Sequence, residues 1–214
     1  MQSHSNTPAT IELEYNYPQI LQWLERKGKE SFGDKFTILE EDHQLILQLL
    51  CYFLRDKQTA QTHNIDLSKG ILLSGPVGSG KTTLMTLMKM LAPANSKFFV
   101  KPCREISFEF IQDGYQVIHR YSKGELYRSE PRRICFDDLG IEKNLKYFGN
   151  ECNVMAEILL SRYDIFTSKK IQTHITTNLS ATEIEAAYGN RVRSRMRELF
   201  NLIAFNSNCP DKRI

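Results

Sequence analysis

Between residues 40 and 55 the chain reads EEDHQLILQLLCYFLR, with apolar side chains at three- and four-residue steps. That period matches one face of a helix with 3.6 residues per turn and predicts a buried amphipathic helix. An earlier stretch, PQILQWLERKGKE at 18–30, predicts a short helix stopped near Gly33. A polar connector at 56–70 follows, and then ILLSGPVGSGKTTLMTLMKML at 71–91 reads as strand, loop and helix, ended by Ala92-Pro93. Short apolar runs at Phe98–Val100, Ile134–Phe136, Ile171–Thr177 and 202–206 predict four more buried strands, with helical patterns at about 105–121 and 151–164 between them. Strands alternating with helices predict an α/β chain: a five-stranded parallel sheet sandwiched by helices.

The 214 residues suit one compact domain at 35–214, preceded by a tail and a short helix at 1–34. The formal net charge is only +3, so whole-molecule charge selects no partner. Local charge is more uneven. Residues 191–214 hold six Lys/Arg against two acids, and residues 119–133 hold five against two. The five cysteines form no CxxC pair and no zinc spacing, which points to reduced thiols and a cytoplasmic location. No apolar run reaches the roughly 18 residues that span a bilayer, and the polar start MQSHSNTPAT reads as a disordered tail rather than a signal peptide.

GPVGSGKT, Gly75 to Thr82, fits the pattern G-x-x-x-x-G-K-[ST] in the required strand-then-helix context. Gly75, Gly78 and Gly80, with Pro76, Val77 and Ser79, let the backbone curl until its N–H groups point at phosphate oxygens. The following helix adds its positive dipole end. Lys81 then reaches the outer phosphates, Thr82 offers a hydroxyl to Mg²⁺, and Thr83 completes the first helical turn. A nucleoside triphosphate, ATP, is the expected ligand. In RRICFDDLG at 132–140, Asp137 emerges from a buried strand where it can hold Mg²⁺, and Asp138 stands beside it as a candidate to activate a water. The bland alternative for that Asp pair is a helix cap. The strand at 98–100, set between the two motifs, separates them onto non-consecutive strands. Asn178 follows the next strand, where an amide can bond the γ-phosphate or the water, although an Asn after a strand is ordinarily a turn residue.

YGNRVRSRMRELF at 188–200 places arginine at every second position. On a helix, Arg191 and Arg195 share one face, Arg193 and Arg197 lie roughly opposite, and Val192, Met196, Leu199 and Phe200 form an apolar stripe between the pairs. Alone this reads as a solvated helix whose arginines snorkel at the edges.

GPVGSGKTT, FDDLG, NVMAEILLSRYD, THITTNLS and YGNRVRSRMREL…IAFN together resemble the DnaC/IstB branch of the AAA+ ATPases, from about residue 35 to the end. That branch contains helicase loaders and transposition helpers. The resemblance implies a P-loop core without a C-terminal lid, ATP and Mg²⁺ as cofactors, and head-to-tail homo-oligomers on DNA. It implies a replicative helicase or a transposase as partner and no membrane. It further implies that Arg195, with Arg191 one turn earlier, reaches the ATP of a neighbouring subunit, and that Arg213, or else Lys212, contacts ATP in its own subunit. The sequence departs from the helicase-loader pattern in having only about 35 residues before the core. The resemblance also implies that the segment 104–133 lines the assembly and touches DNA. Its Tyr115, His119, Arg120, Tyr121, Lys123 and Arg128 interleave bases with aromatics, a mixture suited to sequence-tolerant single-stranded DNA, or else to an inward-packed amphipathic helix. Two other readings stay open: a small-molecule P-loop kinase, and a nucleotide-gated binding module with negligible hydrolysis.

Overall fold

A computed structural model describes residues 15–124, 131–142, 145–147 and 150–212. The first helix, α1 (Tyr17–Phe32), opens on Asn16, whose side chain accepts the Gln19 N–H, and closes at Gly33. Leu24 is fully buried, and a Cβ at Gly28 would overlap the Phe36 ring, so the helix and the segment after it lie in close contact. Helix α2 (His43–Leu54) is buried along most of its length. The polar connector is not all loop. Residues Lys57–Thr62 form α3, because the Asp56 side chain accepts the Thr59 N–H at its start.

Strand β1 (Gly70–Ser74) leads into α4 (Lys81–Leu91). Strand β2 (Phe99–Pro102) precedes α5 (Cys103–Asp113) and α6 (Gln116–Ser122). The single helix expected at 105–121 is therefore two, split at Gly114 with φ 60°. Strand β3 (Ile134–Leu139) is followed by a small antiparallel hairpin the periodicity did not announce, β4 (Leu145–Tyr147) with β5 (Asn150–Cys152). Then come α7 (Val154–Lys169), β6 (Thr173–Thr177), α8 (Ala181–Tyr188), α9 (Asn190–Leu199) and β7 (Phe200–Ala204).

Five strands make one parallel sheet in the order β2-β3-β6-β1-β7. The phosphate-loop strand and the Asp137 strand are non-consecutive, but the strand between them is β6, not the 98–100 strand. That strand, β2, is the sheet edge. The physical reason lies in the strands themselves. All four β2 residues are only half-buried, and Pro102 lacks the N–H that a central position needs. Every residue of β6 is buried, as a central strand requires.

Alternate residues feed two cores. Leu72, Phe136 and Ile175 pack with α5, α7 and α9 on one face. Ile71, Leu73 and Cys135 pack with α1, α2 and α4 on the other. Among the described residues no helix is long and apolar enough to cross a membrane, and all five cysteines are free thiols.

Two buried basic side chains have structural posts. Arg162 on α7 donates from Nε to Thr173 Oγ1 at 2.8 Å and from Nη2 to the Gln172 carbonyl at 3.1 Å, tying the helix to the start of β6. His174 accepts the Ile71 N–H at Nδ1, 3.1 Å, inside a ring cage of Tyr52, Phe53 and Phe98. Burial, with Arg162 and Arg133 nearby, pushes His174 from 6.5 down to about 3. The unfolded chain takes up this proton near 6.5 and the folded chain does not, so stability falls as pH drops through that window. Between pH 7 and pH 5 this one group should remove about 2 kcal/mol. The expected result is that His174→Asn, which keeps an acceptor for Ile71, loses that part of the slope in urea melts at the two pH values.

Candidate nucleotide site

The carboxyl ends of β1, β3 and β6 meet at one edge of the sheet. Beyond β1 the loop Gly75–Gly80 turns back on itself, with Gly78 at φ 82° and Gly80 at φ 91°, conformations that side chains rarely adopt. The Gly75 N–H donates to the Thr177 carbonyl at 3.2 Å, which pins the loop to β6. A Cβ on Gly75 would come within 2.8 Å of Phe205, so the loop has no room there for a larger residue. Lys81 is almost fully buried, and its Nζ donates to the carbonyls of Gly75 and Pro76 at 2.8 Å each.

Across the sheet edge, Thr82 Oγ1 donates to both carboxylate oxygens of Asp137 at 2.9 Å, and Thr176 Oγ1 donates to Oδ1 at 2.6 Å. Burial pushes the Asp137 carboxyl up, and the Asp138 charge adds to that. The Thr176 and Thr82 hydrogen bonds and the Lys81 charge pull the other way without cancelling it. A buried carboxylate beside a hydroxyl is a hard-oxygen donor set, which fits Mg²⁺.

A β-bulge between Phe136 and Leu139 keeps Asp137 buried and turns Asp138 outward. Asp138 sits there at φ 55°, its N–H bonded to Thr176 Oγ1 at 2.9 Å, its side chain exposed to a cavity of about 1150 Å³. Of the residues singled out from sequence, Val77, Gly78, Gly80, Lys81, Thr82, Thr83, Asp138, Asn178 and Lys212 line this one cavity. Asp137 joins it through Thr82, and Gly75, Pro76 and Ser79 form the underside of the loop.

Arg191 and Arg195 are elsewhere. On α9 they edge a separate shallow cavity of about 490 Å³ with Tyr163 and Glu198. The Arg195 guanidinium lies 4.7 Å over the Tyr163 ring, and the Tyr163 hydroxyl donates to Glu198 at 2.8 Å. Arg193 instead pairs with Glu185 on α8, while Val192, Met196 and Leu199 are buried. The faces follow the helical reading of that segment. Arg213 lies outside the described residues. Lys212, the other residue considered there, forms an ion pair with Asp42, donates its N–H to the Gly78 carbonyl at 3.0 Å and covers the Phe205 ring.

The reading of the 104–133 segment as a nucleic-acid surface is partly corrected. Arg120 is engaged by Glu109 and Asp113, each at 2.7 Å, and Tyr121 is buried with its hydroxyl on Glu109 at 2.8 Å. Those two side chains face carboxylates of α5 because the break at Gly114 folds α6 back on it. Tyr115, His119 and Lys123 remain at the surface around a shallow cavity of about 530 Å³. Arg128 lies outside the described residues.

Sequence reasoning missed two parts of the main cavity. One is the segment after α1, where Phe36, Thr37 and Leu39 form a largely apolar wall, closed by Pro210. It lies away from any motif. The other is Asp211, which precedes the Lys212 considered from sequence. Its carboxylate lies where a Cβ on Gly78 would be, directly against the phosphate loop.

No protein-family model and no curated protein matches the sequence. Among solved structures the chain is similar to the crystal structure of the DnaC helicase loader, at TM-score 0.56 and 16% identity, over 85% of this chain and 99% of that one. It is similar to the crystal structure of DnaI at 0.55 and 19%, over 82% and 87%. The AMPPCP-bound DnaA of Aquifex aeolicus matches at 0.50 and 14%, over 80% of this chain and 48% of DnaA. The chain shares the fold of these three structures. As in the resemblance drawn from the motifs, the core is a five-stranded parallel sheet, and among the described residues no helix follows β7 to make a lid.

Two outcomes follow from this geometry. Thr82→Ala and Asp137→Asn should each abolish the Mg²⁺-dependent part of nucleotide affinity while leaving Mg²⁺-free binding nearly unchanged, as read by titration of a fluorescent ATP analogue with and without EDTA. Asp211→Asn removes a negative charge from the phosphate side of the cavity, and the same titration should show tighter ATP binding by roughly 3- to 10-fold.

Proposed function

We propose that this protein is an ATPase of the helicase-loader type that hydrolyses ATP when copies assemble on DNA. The observation that supports it most is the meeting of four groups in one cavity: the phosphate loop, the Thr82–Asp137 pair, the outward Asp138 and Asn178. A phosphate-binding module needs only the first two. Asp138, held in a left-handed bulge beside Asn178, has the position of a residue that orients a water and takes its proton.

In this reading the loop N–H groups and Lys81 bind the outer phosphates, and the apolar wall at Phe36 and Leu39 takes the adenine. Mg²⁺, held by Thr82 and Asp137, supplies charge neutralisation at the phosphates. Asp138 activates the water, and Asn178 bonds the γ-phosphate or that water. No arginine lines the cavity among the described residues. Arg195, flanked by Arg191, is presented on the outer surface of α9, its plane already ordered on Tyr163. A second copy docked head to tail brings that guanidinium to the first copy's γ-phosphate, where a planar, delocalised cation suits the spreading charge. ATP, assembly and turnover are coupled as a result.

Tyr115, His119 and Lys123 remain the surface groups for single-stranded DNA, bound without sequence preference and weakened by salt. The protein partner is a replicative helicase or, for a mobile element, a transposase, and the protein acts in the cytoplasm. Arg213, or else Lys212 on the cavity wall, is the candidate to contact the nucleotide of its own subunit.

The test is steady-state ATPase rate against protein concentration, with and without single-stranded DNA. The rate per subunit should rise with both, and Arg195→Ala should lower it roughly 1,000-fold while ATP binding survives. A rate independent of concentration, with a normal Arg195→Ala variant, favours a monomeric kinase. ATP binding without turnover favours a nucleotide-gated binding module.

A further inference from the structure

We infer that Tyr188 is a positioning residue for Asp138, acting through Glu142, and that this contact joins the water-activating loop to the arginine helix; the inference rests on the hydrolytic reading above. Tyr188 is the last residue of α8 and is buried. Its hydroxyl donates to Glu142 Oε1. The second oxygen of the same carboxylate, Oε2, accepts the Gly140 N–H at 3.0 Å. Glu142 thus bridges two segments 46 positions apart in sequence.

Each end of the bridge reaches a functional element. On one side, Gly140 stands two residues after Asp138. It has φ 109°, and a Cβ there would come within 2.6 Å of the Leu179 side chain, next to Asn178. The Ile141 N–H closes the turn on the Asp138 carbonyl at 3.3 Å. A non-glycine residue at positive φ persists only where its surroundings over-determine it. Here the surroundings are Thr176 Oγ1 on the Asp138 N–H, the Ile141 turn, and the Gly140–Glu142–Tyr188 chain. On the other side, Tyr188 is followed at once by Gly189 and then by α9 with Arg191 and Arg195. The same end of α8 is pinned to α7 by Asn153 Nδ2, which donates to the Ala187 carbonyl at 2.7 Å. Burial and the Glu142 charge hold the Tyr188 phenol protonated, so it stays a donor across the working pH range.

The chemistry follows from the division of labour in the cavity. Phosphates and Mg²⁺ are held by Lys81, Thr82 and Asp137, none of which touches this bridge. Removing the Tyr188 hydroxyl frees the Glu142 carboxylate to turn to water and leaves the Gly140 N–H without its acceptor. The bulge then relaxes and Asp138 moves off line, which affects the rate of the chemical step and not the affinity for nucleotide. A neighbouring copy that pulls on α9 acts on the same bridge, so docking and water activation are linked within one subunit.

The experiment compares full-length wild type, Tyr188→Phe, Glu142→Ala and the double variant. It measures ATPase kcat and KM at saturating DNA, the Kd of a non-hydrolysable ATP analogue, and the melting temperature. Each single change should lower kcat about 10- to 100-fold, the effect of a small misplacement of a reacting group, with analogue Kd within about 2-fold of wild type. The double variant should be no slower than the worse single one, because both remove the same bridge. Glu142→Gln, which keeps one acceptor, should fall between. Wild-type kcat in Tyr188→Phe overturns the inference alone, and so do losses that multiply in the double variant. A fall in kcat matched by equal losses of analogue affinity and melting temperature reduces the bridge to packing and also overturns it. Wild type that binds ATP but never turns it over overturns the hydrolytic reading and this inference together.

Discussion

The contact on which the site depends is the one between the Thr82 hydroxyl and the Asp137 carboxylate, at 2.9 Å. Its partners sit 55 residues apart, one at the start of α4 and one at the end of β3. A parallel sheet brings all its carboxyl ends to one edge, and helices that follow strands start there with their N–H groups outward. The Gly75–Gly80 loop and the Asp137 carboxylate therefore converge at one edge of the sheet. The one intervening strand, β6, sets the spacing between them.

That strand is unusual for a sheet centre because it is polar. Thr173, Thr176 and Thr177 and His174 are buried with it. Each has a partner. Thr173 takes Arg162. Thr176 serves both Asp137 and the Asp138 N–H. Thr177 donates to the Leu139 carbonyl and accepts the Leu179 N–H. His174 replaces a ladder acceptor for Ile71. Burying such groups unpaired is costly, and here the pairing is nearly complete. The same hydroxyls that satisfy β6 hold Asp137 buried and Asp138 turned out, so core packing and the candidate chemistry share one set of hydrogen bonds.

The arginine helix shows the opposite economy. Its apolar stripe is committed to the core, and its arginines divide by face. Arg193 is neutralised by Glu185 on the adjoining helix, while Arg191 and Arg195 stay at the surface beside Tyr163. A stacked guanidinium loses little further freedom when it meets an anion, which suits a group held ready for a partner.

Period and motif together were enough for the α/β class, the five parallel strands, the phosphate loop and the faces of α9. These features depend on residues near one another in sequence: a glycine that tolerates positive φ, an apolar stripe at helical spacing, a carboxylate at a strand end. Local pattern does not report which strands are neighbours. The choice of β6 as the centre and β2 as the edge was made by burial and by Pro102, which a central ladder rejects. The apolar wall at Phe36 and Leu39, the strap with Asp211 and the inward turn of Arg120 and Tyr121 likewise depend on segments meeting from distant parts of the chain. Such contacts are specified by the packed whole, because their energy comes from excluding water between surfaces that no single segment carries.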